Sequence, residues 1–104
     1  MDDNNIKKED EIIKEFVSVR IDRYFQHTLL YPSRKDAKQA LLDEEVFIND
    51  KIAKPSSKIK DGDQLYIDYG DLILVVKANI YKQDNKIYVG YDIISKNKRS
   101  YIEC

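Results

Sequence analysis

Three basic side chains lie on one side of a helical pattern in the middle of this 104-residue chain. The segment SRKDAKQALL contains them, as Arg34, Lys35 and Lys38. Guanidinium and ammonium groups held in a row on a helix are suited to binding phosphate. Three acids that would repel phosphate follow directly, over residues 43–45. Residues three and four apart share a helix face, so the cations lie opposite a predicted inner face made of Ala37, Ala40 and Leu41.

Other kinds of functional site have little support in the sequence. The only histidine, His27, falls within a predicted helix, so neither a Ser/His/Asp triad nor a His-rich metal site is indicated. The three glycines are isolated from one another, which excludes a Gly-rich phosphate loop. Acids that are neighbours at a helix end, as at 43–45, seldom converge on one metal ion. We therefore expect no catalytic residue, no metal, no cofactor and no small-molecule substrate.

Composition and charge indicate one globular domain with a basic centre. Hydrophobic residues make up 42% of the chain, which excludes wholesale disorder, and no run approaches the roughly 18 apolar residues that a membrane span needs. Cys104 is the only cysteine, so an internal disulfide is excluded and a cytoplasmic location is expected. The net charge is −1, but residues 20–60 contain nine Lys or Arg against six acids.

The sequence predicts two short helices before the strands. Pro32 separates them, and Ser33 is the expected N-cap of the second helix, with Asp36 near its positive end. The first helix has an apolar stripe at spacings of three, four and eight residues, formed by Ile21, Tyr24, Phe25 and Leu29.

About five strands follow the helices. VFIN alternates, with Val46 and Ile48 on one side, and Asn49-Asp50 is a tight turn that tolerates positive φ. QLYIDY is a further strand, and LILVVKANIY and KIYVGYDII flank a KQDN turn as a C-terminal hairpin. Most tyrosines of these strands, such as Tyr66 and Tyr88, are expected to be packed. The predicted fold class is α+β: a two-helix, helix-turn-helix-like motif packed on a small, mostly antiparallel sheet with a C-terminal β-hairpin.

Four segments, in this order, resemble the S4 RNA-binding domain over about residues 19–68. They are VRIDRYF, SRKDAKQALL, VFINDK and KPSSKIKDGDQLYI. The resemblance implies a domain at 17–70, between a flexible acidic N-terminal tail at 1–16 and a C-terminal β extension at 71–104. It also implies an RNA-binding surface on the two helices and the following hairpin. Carried over by position, the RNA-binding residues would be Arg20, Arg23, Ser33, Arg34, Lys35, Lys38, Asn49, Lys51 and Lys54.

Some of these residues have an alternative role. Arg20 is as suited to pairing with Asp22 as with phosphate, and for Lys58 and Lys60 a solvated position is the favoured interpretation. Family members usually have Gly where this chain has Glu44, and Gly relieves the left-handed backbone at a helix end. Glu44 therefore predicts either strain or a different helix end, and the acids around it predict weaker or more discriminating RNA binding that falls with salt.

The resemblance is to stand-alone, non-catalytic S4 proteins of the heat-shock and ribosome-associated quality control type. It implies binding to structured rRNA or tRNA, with the large ribosomal subunit as the partner. Two alternatives stay open. One is the detached RNA-reading domain of an RNA-modifying enzyme, such as a pseudouridine synthase or an rRNA methyltransferase. The other is a protein-interaction module that has lost RNA binding.

Overall fold

The computed structural model describes residues 17–98, and the predicted tail at 1–16 lies outside the described residues. Two helices and a mostly antiparallel sheet confirm the α+β class. In chain order the elements are β1 (Ser18–Arg20), α1 (Ile21–Thr28), α2 (Arg34–Leu42), β2 (Val46–Ile48), β3 (Lys51–Ile52), β4 (Lys58–Lys60), β5 (Gln64–Asp68), β6 (Leu72–Gln83) and β7 (Lys86–Lys98).

Helix α1 is held by its apolar side. Ile21, Tyr24 and Phe25 are each at most 1% exposed, as their spacing predicts. The prediction for Leu29 was wrong: it is the C-cap of the helix, with φ of 59°, and 72% of it is exposed. The left-handed turn at Leu29 directs its side chain to solvent, and Leu30 becomes the next buried residue.

Helix α2 begins and ends with defined caps. The Ser33 hydroxyl accepts a hydrogen bond from the Asp36 backbone N–H at 3.1 Å, which confirms the predicted N-cap. At the other end, the Glu44 N–H donates to the Leu41 carbonyl and the Glu45 N–H to the Ala40 carbonyl. These two bonds form a Schellman motif, in which the residue after the C-cap is left-handed. Glu44 occupies that position with φ of 59°, so the helix ends as it would with Gly and the strain falls on Glu44.

Replacing Glu44 with Gly is expected to stabilise the protein by about 0.5–1 kcal/mol. A side chain at a left-handed position costs about 1–2 kcal/mol, and the greater freedom of Gly in the unfolded chain offsets part of that gain. Chemical denaturation of both proteins measures the difference. Asp43→Gly is the matched control, because Asp43 has an ordinary φ of −85° and its carboxylate accepts a bond from Gln39. The control should lose stability. A loss in Glu44→Gly as well would contradict the assignment of strain.

The strands form one large sheet and one small one. Five strands pair in the order β3-β2-β5-β6-β7, all neighbours antiparallel, and β1 pairs with β4. The Asn49-Asp50 turn is confirmed, with φ of 49° and 71°, and so is the C-terminal hairpin, whose turn lies at Asp84-Asn85. The described residues contain seven strands rather than about five. The sequence missed β1 and β4, because strands of three residues are too short for an alternating pattern to identify them.

The five-stranded sheet has one face against the helices and one face turned away from them, which we call the outer face. Alternate residues of β5 and β6, including Leu65, Ile67 and Val76, join the helices in a single core. Tyr66 and Tyr88 project from the outer face and are 37% and 42% exposed, and each packs against one neighbouring ring, that of Phe47 or Tyr81, rather than in the core. Their strands are covered on one side only, which the sequence pattern did not indicate.

Candidate nucleic-acid interface

All nine residues predicted to bind RNA are exposed. They lie at the end of β1, at the start of α1, along α2 and its N-cap, at the β2–β3 turn, and in and just after β3. Arg34, Lys35 and Lys38 project from α2 away from the side that Ala37 and Ala40 bury. The helix gives these three cations a fixed spacing, since it is anchored at both ends by the caps described above.

Arg20 links strand β1 to the start of α1 and forms an ion pair there. Its guanidinium donates to both carboxylate oxygens of Asp22, Nε at 3.2 Å and Nη2 at 2.9 Å. Half of the Arg20 side chain is exposed, at 51%, so solvent screens the pair. A phosphate that binds Arg20 must compete with this carboxylate.

Replacing Asp22 with Asn is expected to raise RNA affinity by several-fold. The substitution removes the carboxylate charge that competes with phosphate for the Arg20 guanidinium. The free energy of unfolding should fall by less than about 1 kcal/mol, as is usual for exposed pairs and for an acid in the first turn of a helix. Binding of a labelled tRNA transcript measures the first effect and thermal unfolding the second. Asp71→Asn, an exposed loop acid, controls for the change in net charge. Equal affinities for the two variants would contradict a phosphate contact by Arg20.

A further cation lies beside Arg20, although the sequence favoured a solvated role for it. In the antiparallel pairing of β1 with β4, Lys58 is directly opposite Arg20. Opposed residues of antiparallel strands have Cβ atoms about 4.5–5.5 Å apart, so the two charges lie on the same side of this small sheet. The alternation of Lys58, buried Ile59 and Lys60 was the available signal in the sequence. Lys60 differs from Lys58, since its ammonium pairs with Asp63 at 3.4 Å.

The side chain of Asn49 forms hydrogen bonds within the protein. Its amide nitrogen donates to Oδ1 of Asp63 at 2.9 Å, and its amide oxygen accepts from the Gln64 N–H at 2.9 Å. These bonds fasten the β2–β3 turn to the start of β5, and the backbone N–H of Lys60 donates to the other Asp63 oxygen. The side chain of Asn49 is thus part of the framework that supports Lys51, and an RNA contact by Asn49 stays a prediction.

Asp63 is the buried charge at the centre of this framework, with 7% exposed. Burial by itself raises the pKa of its carboxyl. The hydrogen bonds from the Lys60 N–H and the Asn49 amide, together with the Lys60 ammonium, outweigh burial and hold the pKa below its usual value. Asp63 is therefore ionised near neutral pH, and its charge is balanced locally rather than offered to a ligand.

Within residues 17–98, no group of three or more His, Cys, Asp or Glu side chains is arranged to hold a metal ion. In that same range, neither helix is long and apolar enough to cross a membrane. The exposed cations on the helices and the small sheet are the main chemical feature of this side of the molecule.

Comparison with known proteins identifies the framework that presents these cations. Residues 19–65 match the sequence profile of the S4 domain. A protein of Bacillus subtilis (strain 168), named RQC P-site tRNA stabilizing factor, is 31% identical over 68 residues, which is 65% of this chain and 79% of the relative. The chain belongs to the S4 domain family. Proteins of the same name from Listeria monocytogenes and Listeria innocua are each 29% identical over 69 residues, which is 66% of this chain and 75% of theirs.

The S4 match extends from β1 through the first residues of β5 and so includes both helices. It contains each of the nine predicted RNA-binding residues as well as Lys58 and Asp63. Strands β6 and β7 lie beyond it, yet they complete the sheet and bury Val76 and Ile80 in the same core. In this member of the family, the S4 motif and the C-terminal hairpin therefore share one hydrophobic core.

Proposed function

We propose that this S4 protein is a non-catalytic RNA-binding protein that acts on the ribosome in the cytoplasm. Its ligand is structured rRNA or tRNA, and its partner is the large ribosomal subunit. The proposed binding surface consists of the exposed basic residues of α1 and α2 with those of β1, β4 and the β2–β3 hairpin. We call it the basic helical face. Its members are Arg20, Arg23, Arg34, Lys35, Lys38, Lys51, Lys54 and Lys58.

The observation that carries the proposal is the exposure of these cations on the helices and the adjoining strands of an S4 domain. Folded RNA has a deep, narrow major groove that side chains do not enter, so proteins recognise it by its phosphates and its shape. Fixed guanidinium and ammonium groups are suited to that task. The name of the relatives, RQC P-site tRNA stabilizing factor, supports tRNA on the ribosome as the setting.

The acids at the end of α2 give the face a boundary. Asp43 and Glu44 are exposed one turn beyond Lys38, so a phosphate that extends past the basic side chains meets repulsion. We propose that this boundary restricts binding to an RNA whose phosphates follow the cations and then turn away. Shape, rather than a linear base sequence, would then select the ligand.

Sedimentation of the tagged protein from cell lysate through sucrose gradients tests the proposal. The wild type should migrate with the large subunit at low salt and less so at moderate salt. The variant Arg34→Glu with Lys38→Glu should stay at the top of the gradient. Lys96→Glu with Lys98→Glu, on edge strand β7, makes the same change in net charge and should sediment like the wild type.

Other distributions would contradict the proposal in recognisable ways. Wild type at the top of the gradient in both salts would remove the ribosome as partner. Binding to purified tRNA or rRNA under the same conditions would then point to the RNA-reading domain of a modifying enzyme. Absence of RNA binding altogether would favour a protein-interaction module. Equal sedimentation of the two charge-reversed variants would remove α2 from the interface.

A further inference from the structure

The outer face of the sheet carries a stacked tyrosine pair near the tip of the C-terminal hairpin. Tyr81 on β6 and Tyr88 on β7 are cross-strand partners, with ring centroids 5.1 Å apart and an angle of 15° between the rings. Tyr88 is 42% exposed. Lys86, two residues before Tyr88, shares its face of the sheet and is also exposed. The pair therefore presents aromatic surface beside a positive charge.

Gly90 leaves an open space next to Tyr88. It lies two residues along β7 on the same face, about 6.7 Å away by strand geometry. Its φ lies outside the left-handed region, and a Cβ built there would have no atom within 4 Å. Neither backbone conformation nor packing requires glycine at this position. Glycine inside a strand weakens the strand, and it often marks a place where a ligand approaches closely.

Polar groups border this space beside Gly90 and on the side away from the tyrosines. Asn79 is the cross-strand partner of Gly90, and its amide nitrogen donates to the Asp92 carboxylate at 3.0 Å. Lys77 lies directly opposite Asp92. Carboxamide and carboxylate oxygens can accept bonds from the amino and imino groups of a nucleobase, and the lysines can bind the phosphates on either side of it.

The floor of the space is fixed from the opposite side of the sheet. The buried Tyr24 hydroxyl on α1 donates to the Gly90 carbonyl at 2.7 Å. Burial raises the pKa of Tyr24 above its usual value, so this phenol stays protonated and can donate throughout the physiological range. Helix α1 therefore holds β7 in place at the residue where the outer face is open.

From this arrangement we infer that the outer face holds a second RNA site, for one unpaired nucleotide of a single-stranded segment. The base occupies the open space over Gly90 against the Tyr81–Tyr88 pair, its edge meets Asn79 and Asp92, and Lys77 and Lys86 neutralise the adjacent phosphates. Aromatic side chains accept any base by stacking, so little base preference is expected. The inference rests on the proposed function only in taking RNA as the ligand, because this site and the basic helical face lie on opposite sides of the sheet.

Titration of the ¹⁵N-labelled full chain with ten-nucleotide homopolymers of A, U, C and G tests the inference. Amide shifts are expected at Asn79, Tyr88 and Gly90. Gly90→Val should weaken binding of the oligonucleotides by on the order of tenfold, since it fills the space, and Tyr88→Ala by a similar factor through lost stacking. Ile87→Ala, an exposed residue on the opposite face of β7, should bind as the wild type does.

Controls separate loss of the site from loss of the fold and from failure of the proposed function. Tyr88→Ala also removes a cross-strand pair, but Gly90→Val should unfold at the same temperature as the wild type or a higher one. Chemical-shift changes of outer-face amides on adding the oligonucleotides should persist in Arg34→Glu with Lys38→Glu. That result would support an independent second site. Outer-face shifts from the oligonucleotides without any binding of tRNA or ribosomes would keep this inference and overturn the proposed function.

Two results would overturn the inference while the proposed function stands. One is the absence of outer-face shifts with all four homopolymers in a protein that binds tRNA through its helices. This result would indicate that the outer face binds a protein partner instead of RNA. The other is wild-type affinity of Gly90→Val for the oligonucleotides.

Discussion

Replacing Asp63 with alanine is expected to lower the free energy of unfolding by about 2–4 kcal/mol. The Asp63 carboxylate accepts the backbone N–H of Lys60 and the side-chain amide of Asn49, and it pairs with the Lys60 ammonium. Its removal leaves donors without an acceptor in a partly buried turn, and an unsatisfied buried group costs about 1–3 kcal/mol. Urea denaturation monitored by circular dichroism measures the change. Asp71→Ala, at an exposed loop position, is the control and should change stability little.

Titration of the Asp63 carboxyl is expected to make the free energy of unfolding depend on pH. The pKa of Asp63 is lower in the folded protein than in the unfolded chain, where it is near 3.8. Its contribution to stability is therefore fully present above that value and is lost as the pH falls through the folded pKa. The wild type should lose stability below about pH 4 more steeply than Asp63→Asn, in which this titration is absent. Parallel acid unfolding curves for the two proteins would contradict the proposed network.

Charge reversal at both Arg34 and Lys38 is expected to weaken the binding of a tRNA transcript by on the order of a hundredfold at low salt. Each side chain is exposed on α2 one turn from the other, so one phosphate strand can contact both. Charge-assisted contacts to phosphate are the stronger kind of hydrogen bond, and the introduced carboxylates add repulsion. Filter binding or fluorescence anisotropy at several salt concentrations gives the affinities.

The salt dependence provides the sharper test of the mechanism. Each phosphate contact contributes about one unit to the slope of log affinity against log salt, so Arg34→Ala with Lys38→Ala should reduce the slope by about 2. Lys96→Ala with Lys98→Ala removes the same charge from edge strand β7 and should leave the slope close to its wild-type value. A slope that falls equally in both variants would indicate a general charge effect instead of two defined contacts.

The features that the sequence predicted well are local ones. The N-cap at Ser33, the inner face of α2 and the turn at Asn49-Asp50 depend on residues within one or two turns of each other. Capping preferences, helical spacing and tolerance of positive φ depend on residues that are close together in the chain, so they can be predicted from a single sequence. The S4 resemblance was also recognisable, because its motifs are defined by these local elements in a fixed order.

The features that the sequence missed depend on contacts between distant residues. Strand β1 exists because β4 pairs with it about 40 positions later, and that pairing brings Lys58 beside Arg20. Asn49 was predicted for its position in a turn, but its hydrogen bonds to Asp63 and Gln64 appear only once the two turns are packed together. Exposure of Tyr88 likewise follows from which face of the sheet the helices cover.

The sequence by itself therefore determined the two helices, the N-cap at Ser33, the Asn49-Asp50 turn and the order of cations along the chain, since each follows from short-range steric and hydrogen-bonding preferences. The tertiary structure decided which charges remain available and which are used within the protein. Lys60 pairs with Asp63, whereas Lys58 lies beside Arg20 and joins the proposed basic helical face. It also decided that Gly90 lies open beside Tyr88, because strand register and the side on which the helices pack are properties of the whole chain.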